Sequence, residues 1–157
     1  VAPATAFLAF GFDAVWAVSS AGQVLQKIDP ATNSVVGTAP LGKQPGFLAA
    51  GEGAVWVQEQ GDGTVAKVNP ETLALEGRTK VGDNLKYGDI DTGGGAVWLR
   101  TTDDQTMVVI DPSSGAIRAR LGKPSGSGAV RYTPQGVWTS AHDNETISWW
   151  ALPAEAP

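Results

Sequence analysis

The stretch Gly53-Ala54-Val55-Trp56 decides the fold, because its core recurs along the chain. The Val-Trp pair reappears as Val15-Trp16, Val97-Trp98 and Val137-Trp138, so successive tryptophans lie 40, 42 and 40 residues apart. A repeat of this length is too long for a leucine-rich repeat. By length alone it suits either helical HEAT and armadillo repeats or units of several short strands.

Strand chemistry separates these two options. Each repeat holds β-branched and aromatic runs between glycine- and proline-rich turns, and no segment keeps a helical 3,4 spacing over three turns. The second strand of each repeat carries the Val-Trp pair. The first strands are predicted at 7–10, 47–50, 89–92 and 129–132, and the third strands at 24–28, 65–68, 107–110 and 147–150.

A turn follows the third strand in the first three repeats. It begins with Asp29-Pro30, Asn69-Pro70 or Asp111-Pro112, and each Asp or Asn stands 13 residues after its tryptophan. The Asp or Asn side chain hydrogen-bonds the turn amides, and proline presets φ. Four short antiparallel strands in about 41 residues form the blade of a β-propeller. The sequence therefore predicts one all-β domain over 1–157, with blades at about 7–46, 47–88, 89–128 and 129–153.

The fourth blade is predicted to be incomplete. Ala151-Leu152-Pro153 stands where the turn is expected, and no fourth strand follows. Residues 1–6 are too few to supply both a strand of about five residues and a link of about four. Three explanations stay open: a fragment of a larger propeller, a half-ring that pairs with a second copy, or a closed four-bladed ring. We expect one of the first two, since an open propeller exposes apolar faces and strand edges that favour association.

Composition excludes several classes of function. The chain has 11 basic and 16 acidic residues, a net charge of −5 and no basic run, so we expect no nucleic-acid partner. No apolar stretch reaches the roughly 20 residues of a membrane span, so we expect no membrane insertion. The absence of cysteine excludes disulfides and thiolate metal sites.

The repeat resembles a known family. A Gly-Ala-Val-Trp sequence followed about 12 residues later by Ile28-Asp29-Pro30-Ala31-Thr32 is similar to the streptogramin-lyase-like and YVTN-type propeller repeats of bacteria, over about residues 7–152. The resemblance implies a binding or structural propeller. It also implies, as an alternative, a metal-dependent lyase that opens a cyclic depsipeptide with His and Glu side chains. The chain has one histidine, so a two-histidine site needs further blades or a partner copy.

Candidate binding residues lie on the loops that a propeller gathers around one end of its channel. His142, with Glu145 beside it, suits acid–base chemistry or a divalent metal, or else belongs to a solvated turn. Arg100 suits an anion contact, or a pair with Asp103 or Asp104. The complete set of binding candidates is Glu59, Lys86, Tyr87, Arg100, His142 and Glu145.

Three further candidates lie on first strands, which line the channel. Asp89 and Asp91 replace Phe47 and Ala49 of the preceding blade, and Arg131 of the next blade could oppose them. This pattern predicts a polar or ion-filled channel, or simply a hydrated lining. We identify no catalytic set, no metal ligands and no cofactor from the sequence, with a divalent metal as the alternative.

The leading hypothesis is a non-catalytic binding or assembly module that recognises a ligand or a protein through its loop face. The alternatives are the metal-assisted lyase and the extracellular sensor domain of a larger receptor or kinase. We expect an extracellular or cell-envelope location and self-association into a larger ring.

Overall fold

The computed structural model describes residues 1–83, 85, 86 and 88–152. Blade one contains Thr5–Gly11 (β1), Ala14–Ser19 (β2), Val24–Asp29 (β3) and Ser34–Pro40 (β4). Blade two contains Pro45–Gly51 (β5), Ala54–Glu59 (β6), Thr64–Val68 (β7) and Leu75–Lys80 (β8). Blade three contains Ile90–Gly93 (β9), Ala96–Arg100 (β10), Met107–Ile110 (β11) and Ile117–Leu121 (β12). Blade four contains Val130–Thr133 (β13), Gly136–Ala141 (β14) and Thr146–Trp150 (β15), with a 3₁₀ turn at His142–Asn144.

Each blade is an antiparallel meander whose strands pair in chain order. Three sheets have four strands, and the fourth has three among the described residues. The prediction of an all-β propeller with three complete blades and an incomplete fourth is therefore confirmed. One expectation was wrong: Glu59 was expected on a loop. Instead β6 continues through Glu59, because it pairs with β7 as far as the Glu59–Thr64 pair.

The turns between third and fourth strands form as their Asp and Asn residues dictate. Oδ1 of Asp29 accepts a hydrogen bond from the backbone N–H of Ala31 at 2.8 Å, and Oδ1 of Asn69 accepts one from the N–H of Glu71 at 2.9 Å. In blade three the Ser113 hydroxyl, turn amides and an arginine together hold the pKa of the Asp111 carboxyl well below its usual range. These turns fix the register of each outer strand on its neighbour.

The hydrophobic core is divided among the junctions between successive blades. One cluster joins blades one and two around Trp16, a second joins blades two and three around Trp56, and a third joins blades three and four around Trp98. The inner strands follow each other in space as β1, β5, β9 and β13. The core is therefore a series of similar interfaces.

The four blades form an open arc. Leu8 and Phe10 of blade one are 66% and 70% exposed, and Ile147 of blade four is 74% exposed. Large apolar side chains on both terminal blades face solvent, whereas their counterparts within the chain are covered. The described residues thus do not form a closed four-bladed ring, which was one of the three explanations that the sequence allowed.

Candidate functional site

Each junction inside the chain uses the same contact. The tryptophan of the second strand packs on the blade that follows it, and Trp16, Trp56 and Trp98 are 0–2% exposed. At the last junction the Trp98 ring stacks on Tyr132 with centroids 6.4 Å apart and an interplanar angle of 13°. Every blade therefore has two different sides, a tryptophan face toward the next blade and an acceptor face toward the preceding one.

The acceptor face of blade one, formed by Leu8, Phe10 and Val15, is uncovered. Its counterparts in blade two show the contrast, since Leu48 is 7% exposed and Val55 is fully buried against blade one. Aligned repeats give Phe10 the position that Tyr132 occupies in blade four. This surface has the apolar composition of a blade face that packs against a preceding blade, but no described blade packs on it.

The tryptophan face of blade four, formed by Trp138, Ile147 and Trp149, is also uncovered. Trp138 is 46% exposed and Trp149 is 52% exposed. In blades one and two a lysine pairs across the strands with the tryptophan, and the Lys27 ammonium lies 5.5 Å from the centre of the Trp16 ring. In blade four Trp149 holds that cross-strand position. A tryptophan in place of the lysine makes this terminal face more apolar than the equivalent faces of blades one and two.

The concave side of the arc is a groove of about 420 Å³ lined by the inner strands. Its apolar part contains Phe7 and Phe47, whose ring centroids are 4.6 Å apart. Its polar part contains an ion pair between Asp89 and Arg131, which lie on neighbouring blades.

Asp91, the other acidic channel candidate, also lies in this groove. Its Oδ2 accepts a hydrogen bond from the backbone N–H of Tyr132 at 2.8 Å, and its Oδ1 accepts one from the N–H of Thr92 at 2.9 Å. Both acidic side chains therefore connect blades three and four while lining the groove.

Glu59 is fully buried and holds parts of two blades together. Its carboxylate accepts hydrogen bonds from Nε of Arg78 at 2.7 Å, the Thr64 hydroxyl at 2.6 Å and the Gly42 backbone N–H at 2.6 Å. Burial by itself raises the pKa of the Glu59 carboxyl, but the hydrogen bonds from Arg78, Thr64 and Gly42 outweigh it and leave the pKa below its ordinary value. All of these contacts are internal.

Arg100 is 1% exposed and binds backbone oxygens. Its Nε donates to the carbonyl of Ser140 at 3.1 Å, Nη1 donates to Thr106 at 3.1 Å and Nη2 donates to the Ser125 hydroxyl at 2.9 Å. Burial lowers the pKa of the guanidinium, and the charge of Asp143 acts in the opposite direction. Among the ion pairs of the described residues, none joins Arg100 to an aspartate. Arg100 thus connects blade three to blade four.

The other loop candidates are not gathered into one site. His142 and Glu145 bracket the exposed 3₁₀ turn of blade four, where the Glu145 N–H donates to the His142 carbonyl at 3.3 Å. Lys86 lies on the link between blades two and three, and its carbonyl accepts a hydrogen bond from Thr102 at 3.2 Å. Tyr87 lies outside the described residues.

Sequence reasoning missed Gln58 as a residue of interest. Its side chain is fully buried, and neither its amide nitrogen nor its amide oxygen has a hydrogen-bond partner. Gln58 stands two residues after its tryptophan, where blade one has Val18 and blade three has Arg100. Because side chains alternate along a strand, this position faces the same side of the sheet as the tryptophan. An amide at a position that packs against the next blade is the sequence signal that could have identified Gln58.

Two searches over the described part of the chain gave no candidates. No group of three or more His, Asp or Glu side chains is placed to hold a metal ion. None of the helical segments there is long and apolar enough to cross a membrane.

Comparison with known proteins identifies the fold and no family. Neither family models nor curated proteins give a match. Among solved structures, the computationally designed Ika4 protein superposes with a TM-score of 0.79 and 17% identity, over 96% of this chain and 92% of that chain. Streptogramin B lyase gives 0.73 and 18% identity, over 96% of this chain and 55% of that one. The β-propeller domain of Cps50 from Myceliophteria thermophila gives 0.77 and 16% identity, over 95% of this chain and 54% of that one.

The chain therefore spans nearly all of Ika4 and about half of the other two structures. Together with the strand order and the junctions described above, these likenesses establish that the chain has the β-propeller fold, with four blades.

Proposed function

We propose that this protein is a non-catalytic binding and assembly module, which acts by docking its two terminal blade faces onto further propeller blades. The observation that carries the proposal is the exposure of Phe10 at one end of the arc and of Trp138 at the other. Contiguous exposed apolar surface on a soluble protein marks an interaction site. The two surfaces are the complementary halves of a contact that the chain already makes three times.

The state of the candidate polar residues supports a non-catalytic role. Glu59 and Arg100 form hydrogen bonds with groups of their own blade and of a neighbouring blade. A catalytic acid or base must reach a substrate, and a buried side chain engaged by internal partners does not. Asp89 and Arg131 lie on the wall of the groove. In a ring completed by further blades, this groove would become part of the central channel.

The solution mass of the chain tests this proposal. A single chain has a mass of 16.2 kDa. We expect light scattering after size exclusion to give a larger, defined mass that persists on dilution. A single-chain mass at every concentration would contradict the proposal. Leu75→Glu is the matched control and should keep the wild-type mass. Leu75 is a partly exposed apolar residue of blade two that lies outside both terminal faces.

A further inference from the structure

The junctions within the chain have a direction. At each one the tryptophan face of the earlier blade covers the acceptor face of the later blade, and Trp16, Trp56 and Trp98 all follow this order. The arc therefore ends in two unlike surfaces. Blade four presents an uncovered tryptophan face, and blade one presents an uncovered acceptor face.

We infer that a second copy of this chain covers both surfaces, bound head to tail, so that blade four of each copy docks on blade one of the other. The inference rests on the proposed function, in which these faces bind further blades. It adds the identity of the partner and the orientation of the contact. Continuity with the three internal junctions supports it, since the contact between copies repeats a geometry that this sequence already forms.

The repeat alignment specifies the central contact. The ring of Trp98 stacks on Tyr132, and the positions equivalent to this pair at the open ends are Trp138 and Phe10. Trp138 of one copy therefore stacks on Phe10 of the other. Offset or stacked aromatic pairs contribute beyond the apolar area that they bury.

A second contact follows from the same alignment. Ile147 occupies the position of Leu25, which is fully buried in the cluster that contains Val55 of the next blade. Ile147 of one copy therefore meets Val15 of the other, because Val15 is the blade-one counterpart of Val55.

The polar part of the acceptor face is already satisfied. The side chain of Gln26 is 2% exposed; its Oε1 accepts a hydrogen bond from the Ala2 N–H at 2.6 Å, and its Nε2 donates to the Thr5 hydroxyl at 3.0 Å. The first residues of the chain thus take the place of the link before blade two, since the Ala4 carbonyl accepts a hydrogen bond from the Ser20 N–H as the Gln44 carbonyl does from the Gln60 N–H. Docking buries the exposed apolar part of the face and leaves this polar part paired.

Two copies are the number that closes the ring. A head-to-tail contact forms either a closed ring or an open filament, depending on whether its rotation closes. Propellers typically have 4–8 blades, and four blades per copy give eight for two copies and twelve for three. Only the two-copy ring stays within the range. Its channel is lined by both grooves, so the channel is incomplete without the partner copy.

The test uses two charged variants, Phe10→Glu and Trp138→Glu, alone and mixed. Wild type is expected at the mass of two copies, and each variant alone at the mass of one. An equimolar mixture is expected to form a 1:1 complex, because the intact Trp138 of one variant docks on the intact Phe10 of the other. Only one junction forms in this complex, so its affinity should be lower than that of the ring by roughly 10²–10⁴-fold.

Formation of the mixed complex also shows that both variants are folded. Phe10→Ala and Trp138→Ala, checked by circular dichroism, serve as milder replacements if a charged variant is insoluble. Persistent dimerisation of Phe10→Glu without a mixed complex would mean that like faces pair, and would overturn the head-to-tail inference while the proposed function stands. A ladder of masses above two copies would overturn ring closure. A monomeric wild type would overturn both proposals.

Discussion

Gln58 illustrates how one position can differ in energy among repeats of one architecture. Two residues after the tryptophan, blade one has an apolar Val18 and blade two has the unpartnered Gln58. Blade three has Arg100, whose guanidinium donates hydrogen bonds to several acceptors. Leaving a buried polar group without a partner costs about 1–3 kcal/mol. The backbone tolerates all three residues, so the differences arise in the side-chain hydrogen bonds.

Replacing Gln58 by leucine should stabilise the protein, because it removes an amide that is buried without hydrogen bonds. We expect the free energy of unfolding to rise by about 1 kcal/mol and the melting temperature by about 2–4 °C. Gln26→Leu is the matched control, since Gln26 is equally buried but both ends of its amide are bonded. Thermal unfolding should show opposite signs for the two variants, and a lower melting temperature for Gln58→Leu would show that the amide has a bonded partner in solution.

Glu59→Gln should lower the free energy of unfolding at neutral pH. It should also make that free energy change less as the pH is lowered. The folded-state pKa of Glu59 is depressed. Its ionised form therefore contributes stability above the unfolded pKa of about 4.3. That contribution is lost as the pH falls through the lower folded-state value. At pH 7 the variant should lose about 1–3 kcal/mol, because hydrogen bonds to a charged group are replaced by weaker ones.

Denaturant titrations at several pH values measure this effect. The exposed Glu71→Gln variant is the control, and we expect its free energy of unfolding at pH 7 to stay within about 0.5 kcal/mol of wild type. Equal pH dependence in wild type and Glu59→Gln would contradict the assigned role of the buried carboxylate.

At the scale of elements, the links between blades depend on close backbone approach. A Cβ added to Gly128 would lie 1.8 Å from the carbonyl oxygen of Ser140, and one added to Gly88 would lie 1.9 Å from that of Arg100. These glycines end the links into blades four and three, where the chain passes directly over the end of a second strand. Side chains cannot be accommodated there because the obstacle is main chain.

Gly128→Ala should therefore destabilise the protein, by about 1–3 kcal/mol, as overpacking commonly does. Gly77 lies in strand β8 with nothing within 4 Å of its added Cβ. Gly77→Ala should accordingly be neutral or stabilising by up to about 1 kcal/mol, since it restricts the unfolded chain. Parallel melting curves compare the two, and equal midpoints would mean that the link at Gly128 rearranges without cost.

The elements were predictable from sequence to the extent that repetition reveals them. The recurring Val-Trp pair identified the four blades, and the constant interval from tryptophan to Asp or Asn identified the turns of the first three. The end of β6 was missed because the polar residues Gln58 and Glu59 look like a loop, whereas ladder pairing extends the strand through both. The partner of Glu59 was out of reach as well, because Arg78 lies on a non-adjacent strand 19 residues away.

At the scale of the whole molecule, the terminal faces could be anticipated only in general terms. The shortened fourth repeat indicated an open propeller, but it did not say which side chains would be exposed. That follows from the direction of the junctions, which requires the three-dimensional placement of Trp16, Trp56 and Trp98. Arg131 could be set opposite Asp89 from sequence, since both belong to the predicted first strands of adjacent blades, although Asp89 lies just before β9 in the structure.

The proposed assembly through apolar faces would give the molecule a concentration-dependent stability. Association that favours the folded state raises the apparent melting temperature with protein concentration. Wild type should show this rise, whereas Trp138→Glu should melt at the same temperature at all concentrations.

Since Phe10, Trp138 and Ile147 are uncharged, added sodium chloride should leave the wild-type solution mass unchanged. A mass that falls as salt is added would indicate that charges hold the copies together.

Strand β15 has a consequence that ring formation does not remove. It pairs with β14 on one side, and no described strand pairs with its other side. The proposed junctions involve blade faces, so among the described residues they leave this row of backbone amides and carbonyls at the outer rim unpaired. Such an edge accepts an added strand through main-chain hydrogen bonds. An extended segment patterned on β12 and grafted after β15 is expected to pair with this edge as a fourth strand.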